Sequence, residues 1–272
     1  MTEEEFLRIC QFVYTHYGID LSRKKEFVRG RLDNPLRRNG WQSYSAYMNV
    51  VETDFTGKRK KELMNLLTTN HTFFMREAQH FQWMRQKVLP YLAQKERDSK
   101  DLRIWCAAAS TGEEPYTLAM LLVDYFGLEH EAWDTKVLAT DLSTKVLIQA
   151  VRGEYTKDQI EPLPKRWQRR FFRPCKEKDR YQVTEELKQE VIFRQFNLMD
   201  EFPFRRTMHV IFLRNVMIYF DRETKQALLK RICRLLEPGG YLFIGLTETI
   251  DRMGLPLEAV SPSVFRRTEA GI

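Results

Sequence analysis

At 272 residues, 43% of them hydrophobic and 12% aromatic, the chain can bury one large core and a smaller one, which excludes a disordered polypeptide. No apolar run approaches the roughly 20 residues that span a bilayer, and the acidic start Met1-Thr2-Glu3-Glu4-Glu5 is unlike a secretion signal, so a cytoplasmic protein is expected. The net charge of +7 is a mild basic bias, and four scattered cysteines without a CxxC pair and five histidines without HExxH spacing point to neither a disulfide framework nor a metal site.

The first hundred residues read as helices. Thr2 followed by Glu5 is a capping-box pattern, opening a helix with Phe6, Ile9, Cys10 and Val13 at helical spacing and closed by Gly18. Ser22 is expected to cap a second helix that turns Phe27, Val28 and Leu32 inward and Lys24, Lys25, Arg29 and Arg31 outward. That helix should stop before Pro35, because the residue preceding a proline is pushed out of helical geometry. Its 23–38 stretch carries seven basic residues against two acids, a local +5. Such a run is either a solvated helix face or a docking surface for an acidic partner. Further helices are predicted over 43–51, 58–67 and 78–92.

Beyond the polar stretch 98–101 the pattern changes. Strands are predicted at 102–107, 136–140, 208–213 and, after the turn Pro238-Gly239-Gly240, at 241–245. Helices at 115–126, 143–151 and 222–236 alternate with them. Such alternation implies an α/β fold, a doubly wound and mostly parallel sheet covered on both faces. Short alternating stretches at 170–173, 180–183 and 191–194 read as a small antiparallel β-subdomain inserted over 168–194, whose last strand could equally join the main sheet. The organisation expected is thus an all-helical N-terminal domain over 1–78 and a catalytic domain over 79–272 that contains the insertion.

The stretch 105–116, Trp105-Cys106-Ala107-Ala108-Ala109-Ser110-Thr111-Gly112-Glu113-Glu114-Pro115-Tyr116, is a strand that ends in tiny residues and feeds directly into a helix, leaving room for a ligand beside the backbone. Neither GxxxxGK[ST] nor GxGxxG is present. Glu113 and Glu114 stabilise a helix start in the simplest reading. They also repel phosphate and suit a ligand with an amino group, as S-adenosylmethionine has. Asp141 ends the next strand, where a carboxylate can accept from both ribose hydroxyls or merely cap the following helix.

Together with Asn70-His71-Thr72-Phe73-Phe74-Met75-Arg76 and Arg214-Asn215-Val216-Met217-Ile218-Tyr219-Phe220, this stretch resembles the CheR family of chemotaxis-receptor methyltransferases along nearly the whole chain; Met75 stands where the family usually has an aromatic. The resemblance implies a Rossmann-like domain that transfers a methyl group from S-adenosylmethionine to receptor glutamates, yielding glutamate methyl esters and S-adenosylhomocysteine. It implies cofactor contacts from Asn70, Thr72 and Arg76 in the linker, from Ala107, from Glu113 or Glu114 to the amino group, and from Asp141 to the ribose. It also implies Asn197 and Leu198 at the adenine edge, Arg214 and Asn215 on the pocket floor, and Arg76 with Tyr219 nearest the departing methyl.

A glutamate is ionised near neutral pH and needs no general base, so the protein's task is positioning, with Arg76 expected to pair with the acceptor carboxylate and the Tyr219 hydroxyl to orient it. Lys24, Lys25, Arg29 and Arg31 would then dock the glutamate-rich cytoplasmic helices of membrane receptors, with only peripheral association and no nucleic acid. Two other functions compete: a nucleic-acid methyltransferase, which the missing [DN]-P-P-[YF] tetrapeptide disfavours, and a cofactor-binding regulator without catalysis.

Overall fold

The computed structural model describes residues 1–269. Its N-terminal unit holds four helices, α1 (Glu3–Tyr17), α2 (Lys25–Arg38), α3 (Tyr44–Thr53) and α4 (Lys58–Leu67). They close over a core of Phe6, Ile9, Val28, Leu32, Met48 and Leu63. The Thr2–Glu5 capping box forms, and Gly18 ends α1 at φ 66°, a left-handed value that glycine adopts without steric cost.

Two expectations for α2 fail. Ser22 caps nothing; its N–H instead bonds Asp20, and the helix opens at Lys24 without a side-chain cap. The helix also runs through Pro35 to Arg38. A proline ring forfeits one hydrogen bond, and burial of Leu36 against the helical core ties down the extra turn.

The predicted helix over 78–92 is three joined pieces: α5 (Gln79–Trp83), a π-helical turn (Met84–Val88) and α6 (Leu89–Lys95). The wider turn falls just ahead of Pro90, which lacks the N–H that a regular helix needs. Strand β1 (Ile104–Cys106) leads into α7 (Glu113–Phe126), and β2 (Val137–Asp141) into α8 (Thr144–Arg152). Next come β3 (Glu154–Thr156), α9 (Lys157–Ile160), α10 (Lys165–Phe171), β4 (Phe172–Pro174), β5 (Arg180–Val183), α11 (Glu185–Gln189) and β6 (Val191–Gln195). The chain closes with β7 (Met208–Leu213), α12 (Arg222–Leu235), β8 (Leu236–Ile244), β9 (Leu257–Ser261) and β10 (Val264–Arg267).

The seven-stranded sheet has the order β6-β2-β1-β7-β8-β10-β9, parallel through β8 and closed by the antiparallel pair β10 and β9. Alternate residues face opposite layers: Ile104, Cys106, Val210 and Phe212 pack under α7, whereas Trp105, Ile211 and Leu213 pack under α12. The fold is thus the expected doubly wound, mostly parallel α/β arrangement behind an all-helical unit.

The small antiparallel sheet has the order β3-β5-β4. It departs from the expected 168–194 insertion at both ends: β3 lies ahead of that range, and β6 pairs in parallel with β2 at the edge of the main sheet. Residues 170 and 171 end α10 and are not strand. Pro238-Gly239-Gly240 is a bulge inside β8, where pairing with β7 jumps from Met208↔Leu236 to Val210↔Tyr241. Among the described residues no helix is long and apolar enough to cross a membrane.

Candidate functional site

A cavity of about 300 Å³ opens at the carboxyl ends of β1, β2, β6 and β7. Beside it, β2 and β7 leave β1 in opposite directions, the place where open α/β sheets hold ligands. Tyr17, Leu21, Lys24, Phe27 and Leu67 of the helical unit form the facing wall. On the floor, Ala107 and Ala108 keep the turn after β1 thin, and Ser110 and Gly112 take φ values of 48° and 100°. A Cβ on Gly112 would sit 2.8 Å from Tyr155 Oη and 2.9 Å from Ala150 Cβ, so that turn has room only for glycine.

Asp141 is buried at the end of β2, where its Oδ2 accepts the Ser110 N–H and its Oδ1 the Ser143 N–H, each at 2.9 Å. Burial raises its pKa. Capping of α8 falls to the Ser143 hydroxyl, which leaves the remaining lone pairs of Asp141 for the cavity.

The two carboxylates that open α7 part ways. Glu114 lines the cavity; Glu113 does not, being buried with a 2.6 Å hydrogen bond from the Thr111 hydroxyl and a pKa raised by burial. Glu114 accepts from Arg214 Nη1 and from the Cys106 thiol, the latter at 3.1 Å. Arg214, whose side chain is 1% exposed, also donates through Nη2 to the Arg76 carbonyl (2.5 Å) and to Glu77 Oε2 (3.0 Å). Burial alone would push Glu77 up, but Arg214 and the Asn215 amide, 3.2 Å away, hold its pKa below the usual carboxylate range. Glu248 fixes the loop after β7, accepting N–H bonds from Asn215 (2.9 Å), Gly245 (2.7 Å) and Ile218 (3.2 Å).

The linker between the two units crosses the mouth. Asn70 bonds Thr68 through its amide, and its carbonyl accepts the Ser110 hydroxyl. Thr72 lines the wall, and Arg76 donates to the His71 carbonyl at 2.8 Å. Met75 and Glu77 are held at φ 61° and 56°. Tyr219 donates to the Thr69 carbonyl at 3.2 Å, and burial raises its pKa. Asn197 and Leu198 line the far end, with the Asn197 amide donating to the His16 carbonyl at 2.9 Å.

Of the expected docking residues, Lys24 alone lines the cavity. Lys25 pairs with Glu3 at 2.5 Å, Arg29 with Asp33 at 3.4 Å, and Arg31 lies 5.1 Å over the Phe27 ring. Glu77 and Glu248 were not singled out in the sequence, and Cys106 and Ser110 entered only as members of the 105–116 stretch, without roles of their own. Glu77 had a signal in its place next to Arg76, whereas the role of Glu248 depends on a contact between distant segments. Among the described residues one cluster, Glu96, His209 and Glu237, has metal-type ligand spacing, but Arg103 and Lys95 already supply its cations at 2.8 and 2.9 Å from Glu237.

The donor set has a consistent chemistry. Glu114 suits an ammonium, Asp141 a pair of hydroxyls, and Asn197 beside Phe196 and Leu198 the polar edge of a flat base. Arg76 suits a carboxylate, and the buried Nε of Arg214, without a partner among the described residues, offers a further N–H. These residues fit S-adenosylmethionine, a nucleoside that bears an amino acid. Residues 70–264 match the family model "CheR methyltransferase, SAM binding domain", and residues 4–68 match "CheR methyltransferase, all-alpha domain". The chain is 39% identical to the chemotaxis protein methyltransferase of Borreliella burgdorferi, over 98% of this chain and 95% of that one. It is 38% identical to the Escherichia coli protein of the same name, over 93% and 87%, and 37% identical to that of Salmonella typhimurium, over 93% and 86%. Fold, donor set and kinship agree: the chain belongs to the CheR methyltransferase family and is an S-adenosylmethionine-dependent methyltransferase.

Proposed function

We propose that the enzyme methylates glutamate side chains on the cytoplasmic helices of chemotaxis receptors, forming methyl esters. The observation that carries this reading is the charge pattern of the cavity. Its carboxylates Glu114 and Asp141 lie on the β1 and β2 side, held by Arg214 and Cys106 and by two backbone N–H groups with lone pairs left over, while its Tyr219 end presents the cations Lys24 and Arg76. An acceptor that arrives already ionised needs no proton removed, and cations at the mouth favour it. The cofactor supplies an activated methyl on its sulfonium. Glu114 holds its ammonium, Asp141 its ribose, and Asn197 with Leu198 its base. Arg76 and the Tyr219 hydroxyl orient the incoming carboxylate, and the helical unit closes the cavity against water.

The names of the relatives supply the setting, chemotaxis, and thereby receptors as substrates. Lys25, Arg29 and Arg31 on the outer surface of α2 suit a glutamate-rich helix approaching from outside. Receptor recognition through this surface would make the enzyme a peripheral, cytoplasmic partner of membrane proteins.

The test is to incubate the enzyme with radiolabelled S-adenosylmethionine and receptor-containing membranes and to ask whether protein-bound label is released by alkali, as a methyl ester's is. Arg76→Ala and Tyr219→Phe should each lower turnover about 10²-fold or more at saturating cofactor, the scale on which misplaced reacting groups cost rate. Alkali-stable label, or label in RNA or DNA, would sink the assignment.

A further inference from the structure

Three cationic side chains line the cavity, and they are not equivalent. The charge of Arg214 is already shared between Glu114, bound by Nη1, and Glu77, bound by Nη2, which also reaches the Arg76 carbonyl. Arg76 is partly spent, with Nη1 on the His71 carbonyl and its guanidinium 6.0 Å over the Phe73 ring. Lys24 is different. Its ammonium lies 5.3 Å over the ring of Tyr219 and forms no hydrogen bond or ion pair with any described residue.

The backbone of Lys24 is nonetheless fixed. Its N–H bonds the Leu21 carbonyl at 2.8 Å, and its own carbonyl accepts the Val28 N–H at 3.0 Å. Lys24 also occupies the N-cap of α2 and provides no side-chain cap. Serine, threonine, aspartate or asparagine would cap the helix better there, because their side chains accept from its first free N–H groups. The helix thus goes without a side-chain cap at an N-cap whose side chain faces the Tyr219 end of the cavity.

We infer that Lys24 is a substrate-positioning residue whose ammonium receives the acceptor carboxylate beside Tyr219, so that the helical unit completes the active site and does more than dock the receptor from outside. This rests on the carboxylate-acceptor reading given above. An ion pair formed with the nucleophile is present in the ground state as well as in the transition state, so its loss falls mainly on KM and little on kcat. It also separates Lys24 from Lys25, Arg29 and Arg31, which do not line the cavity and whose charges act on a partner over distances that salt screens.

The experiment uses the full-length enzyme, receptor membranes and radiolabelled S-adenosylmethionine, with the variants Lys24→Ser and Lys24→Arg. Lys24→Ser should raise the KM for receptor about tenfold or more, the worth of a charge-assisted hydrogen bond, at both low and high salt. Its affinity for S-adenosylhomocysteine should match wild type, and its Tm should be equal or higher because serine caps α2. Lys24→Arg should restore most of the affinity for receptor. An unchanged KM in Lys24→Ser, a defect that vanishes at high salt, or a parallel loss of S-adenosylhomocysteine binding would each overturn the inference. If the wild-type enzyme itself places no alkali-labile methyl on receptors, the carboxylate-acceptor reading falls instead.

Discussion

Asp141 carries a buried charge with two backbone N–H groups as its described hydrogen-bond partners, and that environment sets how the site responds to acid. Its pKa is raised by burial. As pH falls through the interval between its unfolded and folded values, the folded state takes up the extra proton and the fold gains slightly in stability. The same proton removes an acceptor from the cofactor site. Glu77 has the opposite sign: its lowered pKa means that its contribution is complete above the unfolded value and lost only as pH drops through the folded one. Affinity for S-adenosylhomocysteine, followed by calorimetry on acidification, should therefore fall before the far-ultraviolet ellipticity does. Simultaneous loss of both would show that Asp141 does not govern binding. Arg214 is the counterpart on the other wall, one buried cation shared between Glu77 and Glu114, where charges persist only in company.

Among the elements, the β1–α7 turn carries the tightest constraint. Gly112 combines φ 100° with Cβ space already taken by Tyr155 and Ala150. Gly112→Ala should cost about 1–3 kcal/mol of stability, as overpacking does, and weaken cofactor binding as the turn shifts away from Asp141. Chemical denaturation and calorimetry measure the two effects, and wild-type values in both would contradict the packing argument. This turn was the most legible part of the sequence, because a run of tiny residues between strand and helix leaves a gap that a ligand is suited to fill. β7 and α4 were readable to the residue, since one is an apolar run interrupted only by His209 and the other a sharply bounded amphipathic helix. The small sheet was legible only in part: the stretch 180–183 is β5 as expected, but β3 was missed and β4 was placed two residues early. Its strands are three or four residues long, and β3 and β5 are distant in sequence, so no local period marks their pairing. The same limit hid Glu248, whose carboxylate reaches back across α12 and β8 to Asn215. It also blurred Glu113 and Glu114, adjacent residues that only the rotation of α7 tells apart.

Across the whole molecule, the last turn of α1 and the segment that follows it sew the helical unit onto the catalytic domain. Tyr14 bonds Asp221 at 2.6 Å, Asp20 N–H bonds the Tyr219 carbonyl at 2.9 Å, and Ile19 bridges Phe220. Both units line one cavity. A ligand at 100 times its Kd contributes about 2.7 kcal/mol to the state that binds it, and here that state includes both units. Hydrogen exchange should therefore slow in α1, α2 and α4 as well as around β1 and β2 when S-adenosylhomocysteine is added. Protection confined to the catalytic unit would mean that the helical wall is not part of the binding unit.

The hydrogen bond from Cys106 to Glu114 also bears on the oxidation chemistry of the site. The thiol is wholly buried, and burial together with the carboxylate beside it pushes its pKa well up, away from the thiolate form that peroxides and disulfides attack. The sulfur nearest the cofactor pocket is therefore chemically quiet. Oxidants and alkylating reagents will meet the half-exposed Cys10 and Cys175 first, and the methyl-transfer centre can keep working while the surface of the protein is being modified.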